Sequence, residues 1–112
     1  MIRVLVCDDH DLVRAGIRRL IEETTDIQIA AETRNASETL AAIDERDFDV
    51  LLLDLSLPDQ GGMEVLAEAR KKKPKTPVLI VTMHPEDQFA IRALKLMVDR
   101  VYLVHLASHS EA

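Results

Sequence analysis

Short apolar runs alternate along this chain with stretches of helical periodicity. Ile2–Cys7 reads Ile-Arg-Val-Leu-Val-Cys, a β-rich run that ends at Asp8 and Asp9. From Asp11 the pattern changes. Val13, Gly16, Ile17, Leu20 and Ile21 recur at helical spacing, which predicts an amphipathic helix over about residues 11–23 with Asp11 as its N-cap. Ile27 to Thr33 alternates less clearly but reads as a second strand. Asn35 is placed to cap a helix from Ala36 to Glu45 with Ala36, Leu40 and Ile43 on one face. Val50–Leu53 is an apolar run too short for a buried helix, so it reads as a fully buried strand. Pro58 and the pair Gly61–Gly62 then break the chain. Met63, Leu66, Ala67 and Arg70 share one face of the next predicted helix. It runs out in the basic cluster Arg70–Lys73, which suits a solvated helix C-terminus. Val78–Val81 is a further buried strand, ending at Thr82. A helix is predicted over about 86–96, with Phe89, Ala90, Ala93 and Leu94 inward. Val101–Val104 is the last strand, and His105 to Ala112 shows no periodic pattern.

Strand and helix therefore alternate, with the last helix missing or rudimentary. This order implies an α/β fold: a parallel sheet with helices on both faces. Right-handed crossovers leave a five-stranded doubly wound sheet in the order 2-1-3-4-5, the flavodoxin-like arrangement, as the leading topology.

Composition narrows the function. A chain of 112 residues forms one core. Aromatic residues make up 3% of it, so that core is built from aliphatic side chains. The net charge of −6 argues against direct binding to nucleic acid or an anionic membrane and suits a protein that gathers a cation. Cys7 has no partner for an internal disulfide, which points to a reduced, cytoplasmic compartment. The first apolar run is too short for a signal sequence, and no stretch reaches the ~18 apolar residues of a membrane span.

In a doubly wound sheet, ligands bind beyond the carboxyl ends of the strands, where the strand order reverses. Asp8 and Asp9 follow strand one, Asp54 follows strand three and Thr82 follows strand four. Strands one and three are neighbours at the reversal, so three carboxylates should converge there. Taken alone, Asp54 reads equally well as a polar stop to its strand. Three converging carboxylates repel one another unless a cation or proton intervenes, and a hard divalent ion such as Mg2+ fits oxygen ligands. The Cys/His spacing of a zinc site is absent from the sequence. With a metal present, Asp54 could act as a nucleophile toward an activated phosphoryl group. The backbone carbonyl of Ser56 would complete the protein ligands, and the Thr82 hydroxyl would meet a phosphoryl oxygen. His10 and His84 read as loop residues and Cys7 as core.

These residues resemble the receiver domain of two-component response regulators. Val-Leu-Val-Cys-Asp-Asp-His carries the acidic pair, Leu-Leu-Leu-Asp-Leu-Ser-Leu-Pro-Asp-Gln-Gly-Gly-Met-Glu the acceptor signature, and Leu-Ile-Val-Thr-Met-His the switch hydroxyl. Asp-Asp-His-Asp-Leu-Val-Arg-Ala-Gly-Ile resembles the subgroup whose receivers precede a LuxR-like helix-turn-helix domain. The resemblance implies Asp54 as the phosphorylated residue, Asp8 and Asp9 on Mg2+, Thr82 as switch hydroxyl and Tyr102 as switch aromatic. It implies a sensor histidine kinase, or a small acyl phosphate, as phosphodonor.

Beyond Lys95 the likeness weakens. The turn Leu96–Arg100 lacks the family's glycine, and His105 stands where the family has a Lys that binds the phosphoryl group. The expectation is one receiver domain over 1–112, altered or shortened at its C-terminal end and without an output domain. It would not be a conventional enzyme, though it would catalyse its own phosphorylation and dephosphorylation. The rival expectation is a signalling-impaired interaction module that acts by binding a kinase or by dimerising. A metal-dependent phosphohydrolase ranks last, because Ser56 stands where a second acid would be needed.

Overall fold

The computed structural model describes residues 1–54, 57, 61–82 and 101–105. The elements are β1 (Ile2–Cys7), α1 (Asp11–Glu22), β2 (Ile27–Thr33), α2 (Ala36–Glu45), β3 (Val50–Asp54), α3 (Gly62–Lys72), β4 (Val78–Thr82) and β5 (Val101–His105). All pairings are parallel, in the order β2-β1-β3-β4-β5. The expected α/β architecture is therefore present. The helix expected over 86–96, Ser56, His84 and the tail from residue 106 lie outside the described residues.

Apolar residues at alternate strand positions build one side of the core. Leu5 and Cys7 of β1, Leu51 and Leu53 of β3, and Val78 and Ile80 of β4 cluster with Ile43, Val65, Leu66 and Ala69 from α2 and α3. The weak alternation of β2 has a local cause. Val4 pairs with Ile29 but Leu5 pairs with Ala31, so β2 carries one extra residue at that point. Ala30 and Ala31 then both pack against the core.

The expected face of α2 is present, with Ala36 and Ile43 buried and Leu40 packed against the core, whereas that of α3 is shifted. In α3 the buried residues are Gly62, Val65, Leu66 and Ala69, while Ala67 is exposed. This i, i+3, i+4, i+7 set keeps Leu66 of the expected face, and Met63 packs against the core, but Val65 and Ala69 are buried in place of Ala67 and Arg70. In α2 the buried set is Ala36, Thr39 and Ile43. Thr39 tolerates full burial because its hydroxyl donates to Asn35 O at 2.7 Å and lies 2.7 Å from the Thr33 hydroxyl. Asn35 caps α2 as expected, its side chain accepting from Glu38 N at 2.8 Å. The basic end of α3 is paired as well as solvated. Lys72 reaches Asp44 at 2.8 Å and Lys73 bonds Asp47, tying α3 to the end of α2 and the turn beyond it.

The N-cap of α1 is His10, and Asp11 is the helix's first residue. Arg14 is the buried residue of this helix, while Leu20 is exposed. Both corrections bear on the site.

Candidate functional site

The carboxyl ends of β1 and β3 place the acids. Val4–Cys7 pair in register with Val50–Leu53, so the residues that follow emerge side by side. Asp8 N still donates to Thr33 O at 3.0 Å, which extends the sheet ladder and fixes the base of Asp8. The Asp8 side chain is 7% exposed, that of Asp54 11% and that of Asp9 31%. One ligand atom from each of Asp8, Asp9, Asp54 and His10 lies within 4.8 Å of all the others. The convergence expected of Asp8, Asp9 and Asp54 is thus observed.

His10 sits at the centre of this group. Its Nδ1 is 3.1 Å from Asp8 Oδ1, 3.2 Å from Asp9 Oδ1 and 3.8 Å from Asp54 Oδ2. Its backbone N–H donates to Asp8 Oδ1 at 2.8 Å. The hydrogen bond to Asp8 raises the imidazole pKa, and the Asp9 charge adds to the rise. Burial raises the Asp8 carboxyl pKa and the Asp54 charge pushes the same way, while the hydrogen bond from His10 N opposes both.

The donor set fits a hard cation. Asp9 Oδ1 is buried and accepts no hydrogen bond, although His10 Nδ1 stands 3.2 Å away. A buried carboxylate oxygen without a donor beside two further carboxylates lacks the compensation such groups require. A divalent ion with oxygen ligands supplies it, and Mg2+ is held in this way by a few carboxylates together with a phosphate.

Arg14 supports the pocket from beneath, a role that the helical pattern did not reveal. Its Nη1 donates to Asp8 O at 2.6 Å and its Nε to Glu32 Oε1 at 3.2 Å, while Nη2 bonds Asp11. The guanidinium thus joins the end of β1, the start of α1 and β2. The available signal was an arginine at the i position of the row Arg14, Ile17, Ile21, where an apolar side chain would be expected. For His10 the signal was adjacency to the acidic pair.

On the other side of β3, Asp54 pairs with Val81, so Thr82 follows at the same edge of the sheet. Thr82 pairs with His105, and Tyr102 pairs with Leu79. Cys7 is core, as expected. Burial pushes its thiol up to about 11, despite hydrogen bonding to Thr33 and Thr39 that lowers it.

Comparison with known proteins gives a consistent result. The family described as "Response regulator receiver domain" matches residues 4–103. The chain is 39% identical over 95 residues to the response regulator GacA of Pseudomonas viridiflava, covering 85% of this chain and 44% of that protein. It is 35% identical over 102 residues to the response regulator protein VraR of Staphylococcus aureus, covering 91% and 49%. The chain thus spans about half the length of these curated relatives. Among solved structures, a LuxR-family two-component response regulator from Aurantimonas superposes with a TM-score of 0.78 at 35% identity, over 89% of this chain and 71% of that one. The response regulator domain of Thermotoga maritima CheB gives 0.80 at 27% identity, over 94% and 78%. The family match touches all five strands, and the chain belongs to the response regulator receiver family.

Proposed function

We propose that this chain receives a phosphoryl group on Asp54, with Mg2+ held by Asp8, Asp9, Asp54 and the backbone carbonyl of Ser56. One observation carries the reading: the side chains of Asp8, Asp9 and Asp54 converge within 4.8 Å at the carboxyl ends of adjacent strands. The donor is the phosphohistidine of a sensor histidine kinase, or a small acyl phosphate. One Asp54 oxygen attacks phosphorus, the bond from phosphorus to the donor's leaving atom breaks, and an aspartyl phosphate forms. Mg2+ held by these residues would neutralise charge on the transferring group. Asp8 and Asp9 hold the metal against Asp54, and the buried setting of Asp8 and Asp54 limits competing water. Thr82, at the end of β4, offers its hydroxyl to a phosphoryl oxygen.

The aspartyl phosphate adds about two negative charges and biases an existing equilibrium, by analogy with other phosphorylated side chains. Thr82 and Tyr102 carry this bias outward and change which partners the domain binds, a second copy of the chain among them. The relatives named LuxR-family response regulators support a longer, cytoplasmic protein with transcriptional output, of which residues 1–112 are the receiver domain, altered toward its C-terminal end. Such a domain also catalyses loss of its own phosphoryl group.

Incubation with acetyl phosphate and Mg2+, followed by intact-mass measurement, tests the reading. One phosphoryl group is expected on the natural chain, none in Asp54→Asn and none when the metal is chelated. Equal yields in the natural chain and Asp54→Asn contradict it.

The position of His105 opposite Thr82 supports a second reading, since the resemblance places a Lys there. Imidazole is shorter and less reliably charged than an ammonium group. In this reading the domain keeps the pocket but acts through dimerisation that phosphorylation leaves unchanged. Sedimentation separates the two. A mass that changes with phosphorylation supports switching, and a constant dimer supports the interaction module.

A further inference from the structure

Among the described residues that gather at the pocket, His10 is the one that offers nitrogen in place of oxygen. We propose that His10 is a further protein ligand of this metal site through Nδ1, beside Asp8, Asp9, Asp54 and the Ser56 carbonyl, and that it shifts the site's preference from Mg2+ toward a divalent transition-metal ion. The inference rests on the reading of Asp8, Asp9 and Asp54 as the metal site and adds a residue to it.

Spacing is the first support. Ligands bonded at about 2.1 Å in octahedral geometry stand about 3 Å apart when adjacent and about 4 Å apart when opposite. His10 Nδ1 lies 3.1 and 3.2 Å from oxygens of Asp8 and Asp9, and 3.8 Å from one of Asp54. The first two match adjacent positions of one shell and the third lies nearer the opposite one; in the metal-free chain the 3.1 Å contact is a hydrogen bond to Asp8, so metal binding displaces the Nδ1 proton. The second support is the way the backbone holds the ring. His10 is the N-cap of α1, yet its side chain makes no capping hydrogen bond to that helix. Its backbone N–H is committed to Asp8 Oδ1, which turns the residue toward the acids. The third is Asp9 Oδ1, the buried oxygen without a hydrogen bond, whose near neighbour is this nitrogen.

Donor chemistry sets the direction of the preference. Mg2+ takes oxygen ligands and binds nitrogen poorly, whereas imidazole suits later first-row metals such as Co2+. Carboxylates alone already favour Co2+ over Mg2+ to some degree, so the preference must be read as a change on removing the ring. The His10 side chain is 62% exposed, and its removal leaves the core intact.

Calorimetric titration of the full chain at pH 8 with CoCl2 and with MgCl2 tests this, comparing the natural chain with His10→Ala and Asp9→Asn. His10→Ala is expected to weaken Co2+ binding by at least the ~10-fold that losing an outer-shell partner costs. Its Mg2+ affinity should stay within about threefold of the natural value, because Mg2+ makes little use of nitrogen. Asp9→Asn should weaken both ions. In the Co2+-loaded natural chain, proton NMR should show a strongly shifted exchangeable imidazole N–H that is absent from His10→Ala. If His10→Ala binds Co2+ as tightly as the natural chain or more tightly, or loses both ions equally, His10 is not a selecting ligand and the acidic site stands without it. If the natural chain binds neither ion, the acidic site itself fails and His10 falls with it.

Discussion

Arg14 carries a buried positive charge beneath the acidic pocket, and its energetics depend on what it leaves behind if removed. A guanidinium out of water costs several kcal/mol unless its donors are used. Here they meet Asp8 O, Asp11 and Glu32. Arg14→Met removes the buried donor to Asp8 O, while Asp11 stays solvated and Glu32 keeps Arg18, and is expected to lower stability in urea by about 1–3 kcal/mol. Arg14→Lys should recover only part of this, because one ammonium cannot reproduce a planar fork aimed at three acceptors. Full recovery by Lys would show that charge alone matters. Cys7 provides a second test at this scale. Burial raises its thiol pKa from 9.0 to about 11, so the folded state keeps its proton longer than the unfolded state. The unfolded chain then binds fewer protons above pH 9, and this contribution to stability is lost as pH rises from 9.0 through about 11. Denaturant melts across that range should fall less steeply for Cys7→Ala. In the native protein at pH 8, alkylation of Cys7 should be far slower than in urea. The convergence of Asp8, Asp9 and Asp54 was legible from their strand-end positions together with the expected strand order. His10 and Arg14 were not, because their roles depend on how a loop and a helix close over the sheet.

At the level of elements, the turn into α3 depends on Gly61. Its φ of 82° and ψ of 155° lie in a region that side chains rarely adopt. A Cβ there would meet nothing within 4 Å, so the cost of substitution is conformational, not steric. Gly61→Ala is expected to lower stability by about 1–3 kcal/mol. Because the turn separates β3 from α3, it should also slow phosphorylation of Asp54. An unchanged melting curve would mean the turn relaxes freely. The positions of the described strands and helices were readable from apolar runs, since strand length and Gly/Pro punctuation are local properties. Two features were not. The extra residue in β2 is a matter of pairing with β1, which single-strand alternation cannot express. The buried face of α3 is set by how the helix packs on the sheet, and neighbouring rows through Leu66 differ by only about 100° of rotation, so periodicity alone does not choose between them.

For the molecule as a whole, strand order turns distant residues into a site. Asp8 and Asp54 are 46 positions apart in sequence, and only the adjacency of β1 and β3 joins them. The same sheet edge receives Thr82 from β4 and His105 from β5. Without a cation, the cluster of like charges opposes folding, so metal and stability are linked. Mg2+ at about 100 times its dissociation constant should stabilise the chain by about 2.7 kcal/mol. Asp9→Asn should raise the stability of the metal-free chain, by removing one repelling charge, and should lose most of the Mg2+ increment. Thermal melts with Mg2+ and with chelator read both effects. A variant that keeps the full increment would remove Asp9 from the metal site.

The most direct measurement identifies the residue that becomes phosphorylated. After reaction with acetyl phosphate and Mg2+, borohydride reduces an aspartyl phosphate to homoserine, which marks the acceptor in peptide mass spectra. The expected mark falls on the peptide containing Val50–Asp54, at Asp54 alone, and disappears when Mg2+ is chelated. A mark on Asp8 or Asp9, or efficient phosphorylation that leaves Asp54 unmodified, would contradict the assignment of Asp54 as the acceptor.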